Sequence, residues 1–316
     1  MIKWGIIGAG NIAKRFAKSL TYEEDAVLYA ISGRNPEKLQ AFQAEHPCEK
    51  IYIGHENLLA DPQVDAVYIA LPHDMHLEWA LKAIHAHKAV LCEKPAVLNE
   101  KEMQQIADAA RTEHVLFMEA MKSRFEPAYI KTKELINDNT IGTVVSIKAQ
   151  ISSVFPPERY AETYLTRPVV GGALLDTGCY CVNWLNDLCS EEPAIKNVSS
   201  VVKDSVDYFI DATMQFGTVE GEAIAGFDRK LEPMAEIVGT KGRIVVERPH
   251  RPDVIHVYQD GKEEQTFELP YNHDDFYGQI HHFNTLIKEG KTESDVMSLN
   301  DSLRNAHIMD LIRYSL

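Results

Sequence analysis

The chain has 316 residues, of which 45% are hydrophobic and 25% are charged, an ordinary composition for a globular protein. This length exceeds what most single hydrophobic cores reach, so we expect two domains. The formal net charge of −15 argues against nucleic acid or an anionic membrane as the main partner. It leaves room for a small anionic ligand in a local basic pocket.

The sequence opens on an apolar run and a glycine turn, without the pattern of a signal peptide or a membrane-spanning segment. An odd and scattered set of cysteines predicts reduced thiols in a cytoplasmic protein: Cys48, Cys92, Cys179, Cys181 and Cys189. Two of them have C-x-C spacing, but further ligands are not nearby in the sequence. We therefore expect no metal site.

The first 120 residues alternate between strand and helix patterns. Apolar runs predict strands at 2–7, 26–32, 51–53, 65–71, 89–92 and 115–119. Helical periodicity or start signals predict helices at 12–20, 36–45, 77–86 and 100–111. This alternation predicts an α/β fold with a doubly wound parallel sheet and right-handed crossovers.

After about residue 122 the pattern changes. A helix is predicted at 127–137, then strands at 144–151, 198–202, 208–216, 218–227, 234–238 and 243–247, and two closing helices near 274–289 and 298–315. Short turns between successive strands predict a large, mainly antiparallel sheet in an α+β domain. We expect one face of this sheet to be open and to be covered by a second copy in a homodimer.

The first strand runs into the turn GIIGAGNIA, which places Gly8, Gly10 and Ala13 in a G-x-G-x-x-A array. In a dinucleotide-binding (Rossmann) unit the first glycine allows a tight turn and the second lets a pyrophosphate approach the backbone. The small third residue permits close packing of helix and strand. The helix N-terminus at Asn11 and Ile12 then supplies N–H groups to the phosphates. We expect residues 1–121 to bind a dinucleotide and 122–316 to bind substrate and dimerise.

The second strand ends in ISGRNPEK, where NAD-binding proteins usually carry an acidic residue for the ribose 2′-hydroxyl. Ser32 and Arg34 occupy that place, and the first carboxylate is Glu37. An arginine there suits a 2′-phosphate through charge-assisted hydrogen bonds, which favours NADP over NAD. Arg34 as a solvated surface residue, with NAD as cofactor, is the alternative.

The stretch VLCEKPAVLN places Glu93 and Lys94 directly after an apolar strand. Buried charges need a partner or a task, and the carboxyl ends of parallel strands are where such sheets bind ligands. Pro95 holds Lys94 extended, and adjacent strand residues face opposite ways. We expect the two charges near the cofactor with different contacts; a surface ion pair is the alternative.

Four motifs together resemble one known family: GIIGAGNIA, YIALPHDMH (68–76), CEKPAVLN (92–99) and GGALLDTGCY (171–180). Their order and spacing over nearly the whole chain resemble the glucose-fructose oxidoreductase, inositol dehydrogenase and MocA family. The stretches MEAMKSRFEPAY (118–129) and GGALLDTGCYC are most similar to its dimeric dihydrodiol dehydrogenase branch. The resemblance implies an NAD(P)-dependent oxidoreductase.

The resemblance also implies residue roles. Lys94 would lie near the nicotinamide and the reacting oxygen, and Glu93 near the cofactor. Tyr180 would be the acid/base, with Asp176 orienting the site, and Arg124 would approach the cofactor. The loop after the fourth strand would line the cofactor site with four residues: Leu71, Pro72, His73 and His76.

Some positions depart from the family pattern. Lys122 stands where close relatives tend to have tryptophan, and Asn183 replaces the carboxylate of inositol dehydrogenases, which counts against myo-inositol as substrate. RPHRP (248–252) lies where relatives place an aromatic residue on the substrate side. Four residues before GGALLD suggest a pocket wall for a polyhydroxylated ligand, with a solvated loop as the alternative: Arg159, Tyr160, Tyr164 and Arg167.

The favoured reaction is hydride transfer between a nicotinamide and an alcohol or carbonyl of a sugar, polyol or cyclic diol. The cofactor would exchange the hydride, and Tyr180 beside Lys94 would exchange the proton. Tyr180 could instead be a core tyrosine of an amphipathic helix. Two other functions remain open at this point: a non-catalytic dinucleotide-binding regulator and an NAD-dependent glycosidase.

Overall fold

The computed structural model describes residues 1–154, 156, 158 and 163–316, which form two compact units. The first unit contains Met1–Val97, Lys101–Met121 and Asn272–Leu303, and the second contains Leu98–Glu100, Lys122–Tyr271 and Arg304–Leu316. The chain passes between the two units at several points, and one of them lies between residues 121 and 122, where we predict the domain boundary. As a statement about domains it stays a prediction.

Residues 272–303 depart from the predicted division, because they group with the first unit. The Trp4 indole N–H donates to Asn284 Oδ1 at 3.0 Å, and the Trp4 and Phe283 ring centroids are 5.3 Å apart. Both Trp4 and Asn284 are fully buried. A closing helix of the chain thus completes the core that the first strand begins, a long-range contact that local patterns do not reveal.

Helices occupy nine segments of the described chain: α1 (Asn11–Leu20), α2 (Pro36–Glu45), α3 (His55–Leu59), α4 (His76–His85), α5 (Glu100–Glu113), α6 (Pro127–Asn137), α7 (Cys179–Leu188), α8 (Tyr277–Lys288) and α9 (Leu299–Arg313). A π-helical turn, Leu174–Gly178, leads directly into α7. The predicted helices are confirmed to within a few residues. Helix α3 was not predicted.

The first unit contains a six-stranded sheet: β1 (Ile2–Ile7), β2 (Ala26–Gly33), β3 (Lys50–Ile53), β4 (Ala66–Ile69), β5 (Ala89–Glu93) and β6 (Phe117–Ala120). The strand order is β3-β2-β1-β4-β5-β6, and every neighbouring pair is parallel. The doubly wound parallel sheet is therefore confirmed. The order reverses between β1 and β4, which is where such sheets bind ligands.

Apolar strands and one helix face explain this packing. All four residues of β4 are buried, which fits a parallel strand covered on both faces. On α1, Ala13 and Phe16 turn inward, and the Phe16 ring stacks on Tyr68 of β4 with centroids 3.9 Å apart. The Asn35 side chain accepts a hydrogen bond from the Lys38 N–H at 2.9 Å and caps α2, as its sequence signal predicts.

The second unit contains an eight-stranded sheet: β7 (Val144–Ser152), β8 (Pro193–Lys203), β9 (Val206–Phe216), β10 (Val219–Gly226), β11 (Met234–Gly239), β12 (Gly242–Glu247), β13 (Val254–Gln259) and β14 (Gln265–Glu268). The order is β14-β13-β12-β11-β7-β10-β9-β8, antiparallel except for the β7–β10 pair. The predicted, mainly antiparallel sheet is confirmed. The last two strands are absent from the prediction, although β13 (VIHVYQ) has the apolar residues of a strand; β14 (QTFE) is short and mostly polar.

Candidate functional site

The glycine turn between β1 and α1 has the shape that the sequence predicts. Gly8 has φ +103°, and a Cβ there would lie 2.5 Å from the Ala70 carbonyl oxygen. Its N–H donates to the Ser32 carbonyl at 3.0 Å. Gly10 precedes α1 with φ −87° and no side-chain cap, and a Cβ on it would meet nothing within 4 Å. Open space therefore borders a helix N-terminus whose first N–H groups have no side-chain acceptor.

This turn fits a dinucleotide pyrophosphate. The first turn of α1 has no acidic residue, so the helix dipole is not already balanced by a side chain. Asn11 is exposed and Ile12 half-buried at the start of the helix, whereas Ala13 is fully buried against the sheet. The roles of Asn11 and Ile12 in cofactor binding stay predictions, and their position is compatible with them.

At the end of β2, the two residues that are predicted to bind the cofactor ribose differ in their exposure to solvent. Ser32 is fully buried; its hydroxyl lies 2.8 Å from His55 Nδ1 and 3.3 Å from the Ile6 carbonyl oxygen. The hydroxyl is thus engaged inside the unit, and Ser32 supports this loop instead of presenting its side chain. Arg34 is exposed, and within the described chain it forms no ion pair. Its guanidinium is available for an anionic ligand.

The loop after β4 is fixed from within by His76. Leu71 and Pro72 are half-exposed, whereas the His73 and His76 rings are buried. His76 Nδ1 lies 2.9 Å from the Pro95 carbonyl oxygen, and Nε2 lies 2.8 Å from that of Leu71. Burial lowers the pKa of His76, and a neutral ring can donate only one of these two hydrogen bonds. His76 therefore connects this loop to the EKP segment, and its predicted place in the lining of the cofactor site stays a prediction.

Glu93 and Lys94 end strand β5 with different surroundings. Glu93 is 9% exposed and accepts hydrogen bonds from the Tyr68 hydroxyl and from the Lys94 N–H. Lys94 is half-buried, and its bond to Pro95 is cis. The next residue, Ala96, donates its N–H to Glu119 Oε1 on β6 at 3.0 Å. Hydrogen bonds from two neighbouring strands therefore hold the Glu93 side chain and the backbone directly after Pro95, on either side of Lys94.

In the second unit the π-helical turn and α7 carry the predicted acid/base. Asp176 is half-buried within the turn, and Tyr180 is 7% exposed in the first turn of α7. The Tyr180 and His250 rings lie edge to face with centroids 6.0 Å apart. Arg251 Nε donates to His250 Nε2 at 2.9 Å, so that nitrogen is an acceptor. The sequence pointed to RPHRP as unusual, but only the structure pairs His250 with Tyr180.

The predicted cofactor residue Arg124 belongs to the second unit and is buried behind α7. Its Nε donates to Asn183 Oδ1 at 2.7 Å, and Nη1 lies 3.5 Å from Asp187 Oδ1. Tyr129 donates to Asp187 at 2.9 Å, and Lys133 pairs with the same carboxylate at 2.9 Å. Burial, with the Asp187 charge adding to it, raises the pKa of Tyr129 well above its ordinary value.

These contacts follow one face of the helix. Tyr180, Asn183 and Asp187 are separated by three and four residues, so they lie in one row along α7. Arg124 contacts Asn183 and Asp187, the two residues of this row that lie farther along the helix. The predicted contact of Arg124 with the cofactor stays a prediction, while its observed partners fix the helix that carries Tyr180.

The predicted substrate loop is described only in part. Arg159 and Tyr160 lie outside the described residues, and Tyr164 and Arg167 belong to or follow a 3₁₀ turn, Tyr164–Thr166. Among the described residues, no group of three or more His, Cys, Asp or Glu side chains could hold a metal ion. Within the same part of the chain no helix has the length and apolar character needed to cross a membrane.

Two family models match the chain. A model described as an oxidoreductase family with an NAD-binding Rossmann fold matches residues 2–121. A model described as the GFO/IDH/MocA C-terminal domain matches residues 129–245. The two matches lie on either side of the predicted boundary, and they name the family that the four motifs resemble.

Characterised relatives match over almost the full length. A trans-1,2-dihydrobenzene-1,2-diol dehydrogenase of Xenopus tropicalis is 32% identical over 98% of this chain and 96% of its own. An NADP(+)-dependent scyllo-inositol 2-dehydrogenase of Bacillus subtilis is 32% identical over 99% of this chain and 96% of its own. A solved 3-ketoreductase from Actinomadura kijaniata, in complex with NADP and TDP-benzene, has a TM-score of 0.89 and 26% identity over 99% of this chain and 97% of its own.

Proposed function

The chain belongs to the GFO/IDH/MocA family of oxidoreductases, and on that premise we propose that it uses NADP to interconvert an alcohol and a carbonyl on a sugar, polyol or cyclic diol. The observation that carries the proposal is the glycine turn of the first unit. Gly8 fits only without a side chain, and Gly10 leaves open space at an uncapped helix N-terminus. The EKP lysine lies in the same unit, at the carboxyl end of β5.

Residues of this chain would hold the cofactor in three places. The N–H groups at the start of α1 would bind the pyrophosphate, and Arg34 would pair with the 2′-phosphate. The loop containing Leu71, Pro72 and His73 would border the nicotinamide side, held in place by His76. NADP is favoured by the free charge of Arg34 and by the NADP-dependent and NADP-bound relatives.

The proton chemistry is assigned to Tyr180 and Lys94. When bound, the cofactor supplies hydride donor and acceptor chemistry. During oxidation Tyr180 takes the proton of the substrate hydroxyl, and the Lys94 ammonium donates a hydrogen bond to the same oxygen. During reduction the two groups stabilise the developing alkoxide, and Tyr180 protonates it. Asp176 is assigned to orient the substrate beside Tyr180.

The test replaces Lys94 by Ala and Tyr180 by Phe and measures turnover and cofactor binding separately. Each variant should lower kcat by about 100-fold or more, while the Kd of NADPH changes little, because acid/base groups act in the transition state. Substrates are drawn from panels of sugars, polyols and diols. Full activity in either variant contradicts its assignment. Tight NADPH binding without turnover on any panel favours the regulator, and retained cofactor after dialysis favours the glycosidase.

Cofactor choice is tested at Arg34. Arg34→Ala should weaken NADPH binding by about tenfold or more and NADH binding little, since a charge-assisted bond to the 2′-phosphate is lost. Lys38→Ala, which removes an exposed charge in the first turn of α2, is the matched control. Equal losses for the two cofactors would contradict the 2′-phosphate role.

We also propose a cytoplasmic homodimer. The cysteine pattern supports the location, and the face of the eight-stranded sheet opposite the buried core supports the assembly. On that face Met234, Val245 and Val254 are half-buried apolar residues, and charged neighbours such as Lys148 and Glu222 pair at 2.8 Å. Val245→Glu should yield monomers in sedimentation at micromolar concentration. A monomeric parent protein at that concentration rules the dimer out.

A further inference from the structure

The helical segment that carries Asp176 and Tyr180 does not cap its own start. The first N–H groups of a helix lack partners within the helix and need acceptors from elsewhere. Here the π-helical turn begins at Leu174, and the preceding residue is Ala173, whose side chain has no acceptor. The segment runs without a break from Leu174 through Leu188, so its first turn sets the direction of α7.

A carboxylate from a distant hairpin supplies the acceptor. The Leu174 N–H donates to Asp207 Oδ2 at 2.7 Å, although the two residues are 33 positions apart. Asp207 is the second residue of β9, directly after the turn that joins β8 to β9. A negative charge at this position also interacts favourably with the dipole of the helix.

The backbone before the helix is shaped around this carboxylate. Gly172 has φ +118°, and a Cβ on it would lie 2.0 Å from Asp207 Oδ1. The Gly172 N–H donates to the Leu165 carbonyl oxygen at 2.8 Å, which fixes the approach of the chain. Gly172, the second glycine of GGALLD, therefore makes room for Asp207, and no other residue type could occupy this position without displacing the carboxylate.

The Asp207 carboxylate lies beside apolar residues, at a cost in solvation. Its neighbours Val206 and Tyr208 are buried in an apolar cluster with Ala173 and Phe227. Burial raises the pKa of Asp207 to about 6, opposed by the N–H groups that it accepts and by the charge of Arg313. A desolvated carboxylate of this kind needs a task, and capping is the one that the geometry gives it.

We propose that Asp207 is a positioning residue of the reaction, because it caps the start of the helix on which Asp176 and Tyr180 are presented. This inference rests on the proposed function, in which Tyr180 is the acid/base. Displacing reacting groups by about 1 Å can lower a rate by about 100-fold. A cap that fixes the first turn of this helix can therefore affect the rate by fixing the positions of Asp176 and Tyr180, without contacting the substrate.

The experiment compares Asp207→Ala with Asp207→Asn in the full-length protein. Loss of the acceptor in Asp207→Ala should lower kcat by about 10- to 100-fold, with the Kd of NADPH within about twofold of the parent. Asp207→Asn keeps an acceptor oxygen and should retain kcat within about threefold. Asp204→Asn, in the same hairpin turn at φ 50° and exposed, is the matched control and should behave as the parent.

Unchanged kcat in Asp207→Ala, or equal kcat losses in the Ala and Asn variants, overturns the inference. If Asp207→Ala does not fold, Asp207→Ser replaces it, with a kcat loss expected between those of the other two variants. Tyr180→Phe is measured alongside. If Tyr180→Phe turns over at the parent rate, the acid/base assignment itself is wrong. If Tyr180→Phe is inactive and Asp207→Ala is fully active, only the positioning role fails.

Discussion

In the first unit the proposed cofactor residues follow the carboxyl ends of four parallel strands, and each lies inside a short motif. In the second unit Tyr180 lies on a helix that is held by residues far away in the sequence. Asp207 is 33 positions from the N–H that it accepts, and Arg124 is 59 positions from Asn183. The proposed cofactor residues are local in sequence, whereas the contacts that hold the helix of Tyr180 are not.

The difference follows from the two sheets. In a parallel sheet, every strand ends at the same edge, so successive strand-end loops converge wherever they stand in the chain. A helix packed on an antiparallel sheet has no such rule, and its orientation depends on particular side-chain contacts. Changes at Gly10 and Arg34 should alter cofactor binding, and changes around α7 should alter turnover or the stability of the second unit.

The largest effect is expected from Asp187→Ala. Its carboxylate balances the buried Arg124 and the half-exposed Lys133, and it accepts from Tyr129. Leaving a buried guanidinium without its carboxylate should lower the free energy of unfolding by about 3–5 kcal/mol, measured by urea denaturation. Glu134→Ala, an exposed partner of Lys131 on α6, should cost less than about 0.5 kcal/mol. Equal losses of unfolding free energy in the two variants would contradict a stabilising role for this buried network.

Two glycines of the same turn should separate folding from cofactor binding. Gly8→Ala places a Cβ against the Ala70 carbonyl at positive φ and should lower the free energy of unfolding by about 2–3 kcal/mol. Gly10→Ala has an ordinary φ and open space, so its unfolding should match the parent within about 0.5 kcal/mol. Only its NADPH affinity should fall, by about tenfold or more, since the methyl group blocks the pyrophosphate. An unchanged NADPH affinity in Gly10→Ala would contradict the predicted close contact between the pyrophosphate and the Gly10 backbone.

His76 should make the first unit sensitive to acid. Burial lowers its pKa below the ordinary value of 6.5, so the unfolded chain binds more protons once the pH falls below that value. The stability of the parent should therefore fall as the pH decreases from about 6.5. His76→Asn should lower the free energy of unfolding by about 1–3 kcal/mol at pH 7.5, and this difference should shrink toward pH 5. The variant His85→Asn, at an exposed histidine, is the control. If the difference in unfolding free energy between His76→Asn and the parent does not change with pH, His76 is not the source of the acid sensitivity.

Asp207 should make the stability of the second unit decrease as the pH rises, which is the opposite of the effect of His76. Its pKa is raised from 3.8 to about 6, so the native state binds more protons between these values, and stability decreases as the pH rises through them. Asp207→Asn removes that dependence and should be more stable than the parent by about 1–2 kcal/mol above pH 6, with little difference near pH 4. Denaturation at pH 4, 5 and 7 checks this. Lower stability of the variant at pH 7 would mean that the ionised form is stabilising.

Much of the site could be predicted where motif and strand end coincide. Gly8, Gly10, Arg34 and Lys94 stand where the sequence predicts. Ser32 lies at the end of β2 and His76 follows β4, and their side chains turn inward to His55 and to two backbone carbonyls. The direction in which a side chain points depends on the packing around its loop, and the residue pattern does not contain that information.

The sequence by itself determined the parallel sheet, the glycine turn, the antiparallel second sheet and the family. Apolar periodicity and turn residues act over a few positions, so they can be read along the chain. Only the tertiary structure decided that residues 272–303 complete the first core, that His250 meets Tyr180, and that Asp207 caps the helix of Tyr180. These contacts join distant segments, and their partners are selected by shape and by the need to satisfy buried polar groups, which exist only once the chain has folded.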